Sequence, residues 1–311
     1  MLSRRREYTC LLPVKPPAMT SRTRLIVAAL GLAAGVAGCA TLDTWQRKAI
    51  FQHERAVVDA RMARAVPPPA TQAFDLVLAN GDTVHAWYRE TSAQAPTVLF
   101  LHGARRNLYG SQYRIDRLAG LGLNVLAIDY RGFGHSTPLL PSEETALQDA
   151  QAAFDELLRR QPDHRRRFIY GYSLGGALAI ALAAERDGVA GVVVESSFTS
   201  IGDLVRASRW GWVPFLGAAV TQEFDSRARI GRVNEPLLLV HGTADGVIPH
   251  TMSDELLAAA TAVKPGLKRL VKIDGASHRG APFVDRATFD TALRDFVGQA
   301  QGAVPAAVLL N

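Results

Sequence analysis

From Ala73 onward, short apolar runs alternate with longer segments of helical periodicity. The apolar runs at residues 74–78, 83–88, 97–101, 124–129, 168–172, 189–194, 237–240 and 267–273 predict strands. The segments at 109–121, 143–160, 174–186, 252–263 and 285–299 predict helices. Asn80-Gly81-Asp82 separates the first two strands and is a strong hairpin signal. Most later runs are continuously apolar, as parallel strands buried on both faces require. Strand–helix alternation of this kind gives βαβ units, and so an α/β fold class with a doubly wound, mostly parallel sheet.

Two stretches break the rhythm. Residues 42–65 are rich in helix formers and end at Pro67-Pro68-Pro69, but their apolar positions make no single stripe. They read as a helical spacer ahead of a domain spanning 73–300. Residues 202–232 show no strand pattern and hold Trp210, Trp212 and Phe215 close together. They are expected to form a small lid whose aromatics line a substrate pocket. The alternative is a longer connecting helix whose aromatics complete the core. Residues 301–311 read as a loose tail.

Charge changes the picture mainly at the N-terminus. Of a formal net charge of +6, five charges fall in residues 1–38, so the rest is close to neutral and no basic surface for nucleic acid is indicated. Arg22 and Arg24 precede an uncharged apolar run at 25–36, too short to span a bilayer comfortably. Val36-Ala37-Gly38-Cys39 resembles the lipobox of bacterial lipoproteins. That resemblance implies a signal peptide over 1–38 (or 19–38, if Met19 is the start) and a lipidated Cys39 at the head of the 39–72 spacer. With Ala40 rather than Asp after the cysteine, it also implies tethering on the periplasmic side of the outer membrane. The alternative is an ordinary secreted protein. Only Cys10 and Cys39 are present, so a chain cleaved before Cys39 has no intramolecular disulfide.

The chemistry centres on Gly171-Tyr172-Ser173-Leu174-Gly175, which follows an expected strand and opens an expected helix. That is the context of a nucleophile elbow, where glycines two before and two after the serine let neighbouring backbone pass. Serine needs a base, and the base an orienting acid. Asp245 follows the 237–240 strand and His278 follows the next one, giving the order Ser, Asp, His. All three sit at strand C-terminal ends, where open α/β sheets bind ligands. Glu195, also just after a strand, is the rival acid or else a structural acceptor. His102, His135 and His241 read as structural loop residues. The oxyanion hole is expected from the backbone N–H groups of Ala104 and Leu174. Arg105 and Arg106 read as a solvated loop, with contact to an anionic substrate group as the alternative. No metal-ligand cluster or phosphate-binding loop is present, so no cofactor is expected.

These residues resemble the α/β-hydrolase superfamily. Asp129-Tyr130-Arg131-Gly132-Phe133-Gly134-His135-Ser136 is similar to a loop of its lysophospholipase-like and serine-aminopeptidase-like branch. Glu195-Ser196-Ser197-Phe198-Thr199-Ser200 and Phe224-Asp225-Ser226 are similar to a sub-branch with only a short cap. The resemblance implies a serine hydrolase cleaving carboxylic esters or related acyl bonds of a small-molecule substrate; the short connection at 202–231, with its clustered aromatics, adds the expectation of a small pocket for short to medium acyl chains. An acyltransferase or peptidase on the same triad, and a non-catalytic anchored scaffold, are the alternatives.

Overall fold

The structure, a computed structural model, describes residues 38–53, 67–209, 211–213 and 216–303. The chain divides into two compact units, Met1–Asp43 and Thr44–Asn311. The expected signal segment lies outside the described residues, apart from Gly38. Residues 38–51 form helix α1, and Cys39 within it is exposed. No described helix is long and apolar enough to cross a membrane.

The second unit is built on one eight-stranded sheet: β1 (Thr71–Val77), β2 (Thr83–Arg89), β3 (Thr97–Leu101), β4 (Asn124–Ile128), β5 (Arg167–Tyr172), β6 (Gly191–Glu195), β7 (Leu237–Gly242) and β8 (Lys268–Ile273). The spatial order is β1-β2-β4-β3-β5-β6-β7-β8. The Asn80-Gly81-Asp82 turn joins β1 to β2 antiparallel, β2 meets β4 antiparallel, and every later pair is parallel. Strands β3, β4, β6 and β7 are buried along their whole length, in keeping with their unbroken apolar runs.

Alternate strand residues supply two cores. Leu99 and Leu101 point to one face with α3 (Glu143–Arg160), α4 (Leu174–Glu185) and α7 (Thr251–Ala259). Val98 and Phe100 point to the other with α2 (Leu108–Gly120), α8 (Ala281–Val284) and α9 (Arg286–Ala303). The α4 helix begins Leu-Gly-Gly-Ala because it runs against the sheet: a Cβ at Gly176 would stand 2.6 Å from that of Ser197.

Three expectations change. The segment read as a spacer belongs to the second unit from Thr44 on. Its Phe51 is fully buried between Phe133 and Phe224, with ring centroids 6.3 and 5.8 Å away, and its carbonyl accepts from Arg105 N–H at 3.1 Å. Gln46 and Arg47 also bond to backbone carbonyls of Ala219 and Pro141. Helix formers with one buried aromatic gave no periodic stripe, so the packing left no sequence signature; residues 54–66 lie outside the described residues. The β7 strand runs two residues beyond its expected end, so His241 belongs to a buried strand rather than a loop. The α9 helix takes in residues 301–303 of the expected tail.

The connection from β6 to β7 contains α5 (Ile201–Ala207) and α6 (Ser226–Ile230). Ser200 caps α5, its hydroxyl accepting from Asp203 N–H at 2.9 Å.

Candidate active site

Ser173 stands between β5 and α4 at φ 55° and ψ −119°, a left-handed conformation costly for a residue with a Cβ. The turn is so tight that a Cβ on Gly171 would lie 2.1 Å from Gly175 O, and one on Gly175 would lie 2.0 Å from Leu101 O. Both elbow glycines are therefore required by close backbone approach. Ser173 N–H donates to Glu195 O, and Ser197 Oγ donates to Ser173 O at 2.9 Å.

The three residues singled out from the sequence come together. His278 Nε2 lies 3.1 Å from Ser173 Oγ, and His278 Nδ1 lies 2.7 Å from Asp245 Oδ2. Because a carboxylate only accepts, Nδ1–H donates to Asp245 and leaves Nε2 to accept from the serine hydroxyl. The Asp245 side chain is fully buried. Burial works to raise its pKa, but hydrogen bonds from His241, His278 and Ile248 N–H outweigh it and hold the carboxyl well below its ordinary range. Val247 N–H and Ile248 N–H donate to Oδ1 at 2.8 and 2.9 Å.

His241 is the residue that the sequence reading missed. Its Nε2 lies 3.1 Å from Asp245 Oδ2 and 3.2 Å from Ile248 O, both acceptors, so it carries the proton. Nδ1 then accepts from Ser253 Oγ–H at 2.6 Å. The fully buried imidazole thus holds Asp245 Oδ2, the same oxygen that accepts from His278. Only the strand's unexpected length, which no local signal gives, brings it there.

Glu195 serves structure. Fully buried, it receives both Arg114 Nε and Nη2 at 2.9 and 2.6 Å and the Tyr170 hydroxyl at 2.5 Å. Arg114 in turn stacks under the Tyr172 ring at 3.5 Å.

Ala104 and Leu174, whose backbone N–H groups are the expected oxyanion donors, border the same cavity as Ser173 and His278. Neither donates to a protein acceptor among the described residues. The loop that carries Ala104 is braced from below. His102 Nδ1–H donates to Gly103 O at 2.7 Å, its ring packs on Tyr130 and Phe133, and Tyr130 Oη donates to His102 O at 3.0 Å. Burial pushes His102 down to about 4, so it is neutral. Asp129 accepts from Leu108 N–H at 2.7 Å, tying the start of α2 to the end of β4. Gly134 is close enough to Asp129 that a Cβ there would collide with its carboxylate.

The cavity has a volume of about 1210 Å³. Its apolar wall comes from Ile50 of α1, Phe198, and Ile201, Leu204 and Val205 of α5. Of the aromatics expected there, Trp212 is 77% exposed and does not border the cavity; Trp210 and Phe215 lie outside the described residues. The connection does reach the site, through the aliphatic face of α5. His135 packs near His85 and Tyr109, away from the triad.

A family model described as "Serine aminopeptidase, S33" matches residues 92–223. An uncharacterized protein of Mycobacterium tuberculosis is 32% identical over 256 residues, covering 80% of this chain and 88% of that protein. The alpha/beta hydrolase domain-containing protein WAV2 of Arabidopsis thaliana is 29% identical over 255 residues, covering 74% and 80%. Among solved structures, the Pyrococcus furiosus esterase Pf2001 superposes with a TM-score of 0.62 at 21% identity, over 75% of this chain and 93% of that one. With its eight-stranded sheet and Ser-elbow architecture, the chain belongs to the α/β-hydrolase superfamily and is of its serine-hydrolase type.

Proposed function

We propose that the protein is a carboxylic ester hydrolase working through an acyl-enzyme, with Ser173 as nucleophile, His278 as base and Asp245 as orienting acid. The observation that carries this reading is the hydrogen-bonded chain Ser173–His278–Asp245, at 3.1 and 2.7 Å, beside two N–H groups with no acceptor among the described residues. His278 takes the serine proton as Oγ attacks the carbonyl carbon. The oxyanion forms between Ala104 N–H and Leu174 N–H, each donor of this kind being worth about 3–4 kcal/mol in the transition state. His278 then gives its proton to the leaving oxygen, and water repeats the cycle on the acyl-enzyme.

The cavity favours esters over peptides with a free amino terminus. No Asp or Glu is among the described residues that border it, so no carboxylate there pairs with an α-ammonium group. Its apolar wall at Ile50, Phe198, Ile201, Leu204 and Val205 takes a short to medium acyl chain. Exposed Cys39 is, in this reading, the lipid-bearing residue of an outer-membrane lipoprotein. Radiolabelled or alkyne palmitate on the wild type, lost in Cys39→Ser, is the expected result; equal labelling of both contradicts the tether.

The hydrolytic reading is tested with p-nitrophenyl butyrate, octanoate and palmitate beside aminoacyl nitroanilides. Turnover of butyrate and octanoate above palmitate and above the anilides is expected, with Ser173→Ala lowering kcat by several orders of magnitude in a folded protein. Unchanged turnover in Ser173→Ala, or anilides cleaved in preference to esters, overturns it.

A further inference from the structure

The cavity that holds Ser173 is bordered by four arginines, Arg105, Arg106, Arg209 and Arg279, and by no carboxylate among the described residues. A second, smaller cavity of about 450 Å³ adjoins it and shares two of them. Its walls are Arg106, Tyr113, Ser277, Arg279, Gly280 and Phe283.

The guanidinium groups and the phenol in this notch keep donors open among the described residues. Arg279 makes no ion pair with a described carboxylate, and Arg106 makes none either, using one N–H on Gly110 O at 2.7 Å. The Tyr113 hydroxyl is buried and has no hydrogen-bond partner among the described residues. Buried polar atoms are normally paired, and one left open beside two guanidinium groups points to an acceptor from outside the chain. Burial, together with the Arg279 and Arg114 charges, holds the Arg106 pKa below its ordinary value, as expected where cations are gathered without a counter-ion.

Position fixes which part of a substrate lands there. Tyr172 and the α2 and α8 residues belong to one face of the sheet, whereas Ile50, Phe198, Ile201 and Leu204 pack on the other. The two faces meet at the strand ends where Ser173 stands, so the apolar wall and the arginine notch lie on opposite sides of it. Arg279 directly follows His278, which protonates the leaving oxygen. The leaving group therefore lies on the arginine side and the acyl chain on the aliphatic side.

We propose that Arg106, Arg279 and Tyr113 form an oxyanion subsite, and that the substrate is an ester whose alcohol portion carries a carboxylate or phosphate group near the scissile bond. This rests on the ester-hydrolase reading above and names its substrate class. Two guanidinium forks and a phenol match the several acceptor oxygens of either group. The bond changes are those of ester hydrolysis: the acyl C–O bond breaks, water supplies the new oxygen, and the anionic alcohol leaves unchanged.

The test compares butyrate esters of ethanol, glycolate and glycerol phosphate, with monoethyl succinate placing the anion on the acyl side. Acid release is followed by pH-stat on the full chain. Ratios of kcat/KM above about ten for glycolate or glycerol phosphate over ethanol are expected, falling in high salt. The larger of the two ratios identifies carboxylate or phosphate as the group. Arg279→Gln is expected to lower that ratio about tenfold, and Arg279→Lys to restore part of it. A ratio near one in the wild type, a preference for monoethyl succinate, or a ratio unmoved by Arg279→Gln overturns the proposal while leaving ester hydrolysis standing. Binding is read apart from catalysis in Ser173→Ala. Glycerol phosphate or glycolate is expected to raise its Tm, and not that of the Ser173→Ala, Arg279→Gln double variant. No shift with either anion overturns the subsite even if no ester is turned over; loss of all ester turnover with the shift intact counts against the hydrolase reading alone.

Discussion

Asp129→Asn is expected to reshape the pH dependence of stability. The Asp129 carboxyl is fully buried, with Oδ1 bonded to Leu108 N–H and lying 3.6 Å from His102 Nε2. Burial pushes it up to about 7, in spite of the Leu108 bond. His102 is pushed down to about 4, so no imidazolium faces it near neutrality. The folded chain therefore keeps the Asp129 proton to about pH 7, whereas the unfolded chain releases it near pH 4. The resulting contribution is fully present below about pH 4 and is lost as pH rises through about 7. A gap of about three pH units, at about 1.4 kcal/mol each, is worth roughly 4 kcal/mol. Asparagine keeps the acceptor for Leu108 and does not titrate. Urea unfolding of both proteins between pH 4.5 and 8 isolates the effect, because every other titrating group cancels in the difference. The variant is expected to gain on the wild type by a few kcal/mol across that range. A constant offset added to that rise is compatible with the account; a difference that stays flat from pH 4.5 to 8 refutes it.

Phe51→Ala should cost about 3–5 kcal/mol, read by thermal unfolding, because the ring is fully buried between two others; a loss under 1 kcal/mol would return α1 to the role of a spacer. His241→Leu removes one hydrogen bond to a charged carboxylate, so kcat is expected to fall about 10- to 100-fold; unchanged turnover would show that His278 and the backbone suffice. Glu195→Gln breaks a buried ion pair and is expected to lower stability by about 3–5 kcal/mol. Asp245→Asn should instead cost several orders of magnitude in kcat, and the reverse ranking would make Glu195 the acid.

What was legible in the sequence was whatever backbone sterics or burial on both sides dictates locally. The unbroken apolar runs gave β3 to β7 within a few residues, since a strand covered on both faces carries few polar positions and those, such as Glu195 and His241, at its end. The elbow was legible because only glycine tolerates a neighbour at 2.0–2.1 Å, and the Ser, Asp and His positions followed from strand ends. The misses depend on distant contacts. His241 looked like any histidine beside a glycine until β7 was seen to extend past it and set it against Asp245. Phe51 anchors α1 through a single ring, too little to mark a periodic face. Trp212 suggested a pocket by composition, but the wall comes from Phe198, α5 and Ile50, and Trp212 faces solvent. Arg106 and Arg279 lie 173 positions apart, so their pairing around one notch was invisible along the chain.

Reaction of the purified protein with a fluorophosphonate probe, followed by mass mapping of the labelled peptide, tests the central claim most directly. The probe forms a stable adduct only with a serine that a base has activated beside a working oxyanion site. One adduct on Ser173 is expected, absent in Ser173→Ala and strongly slowed in His278→Ala. No adduct on the folded wild type, or an adduct on another serine with Ser173 unmodified, contradicts the account.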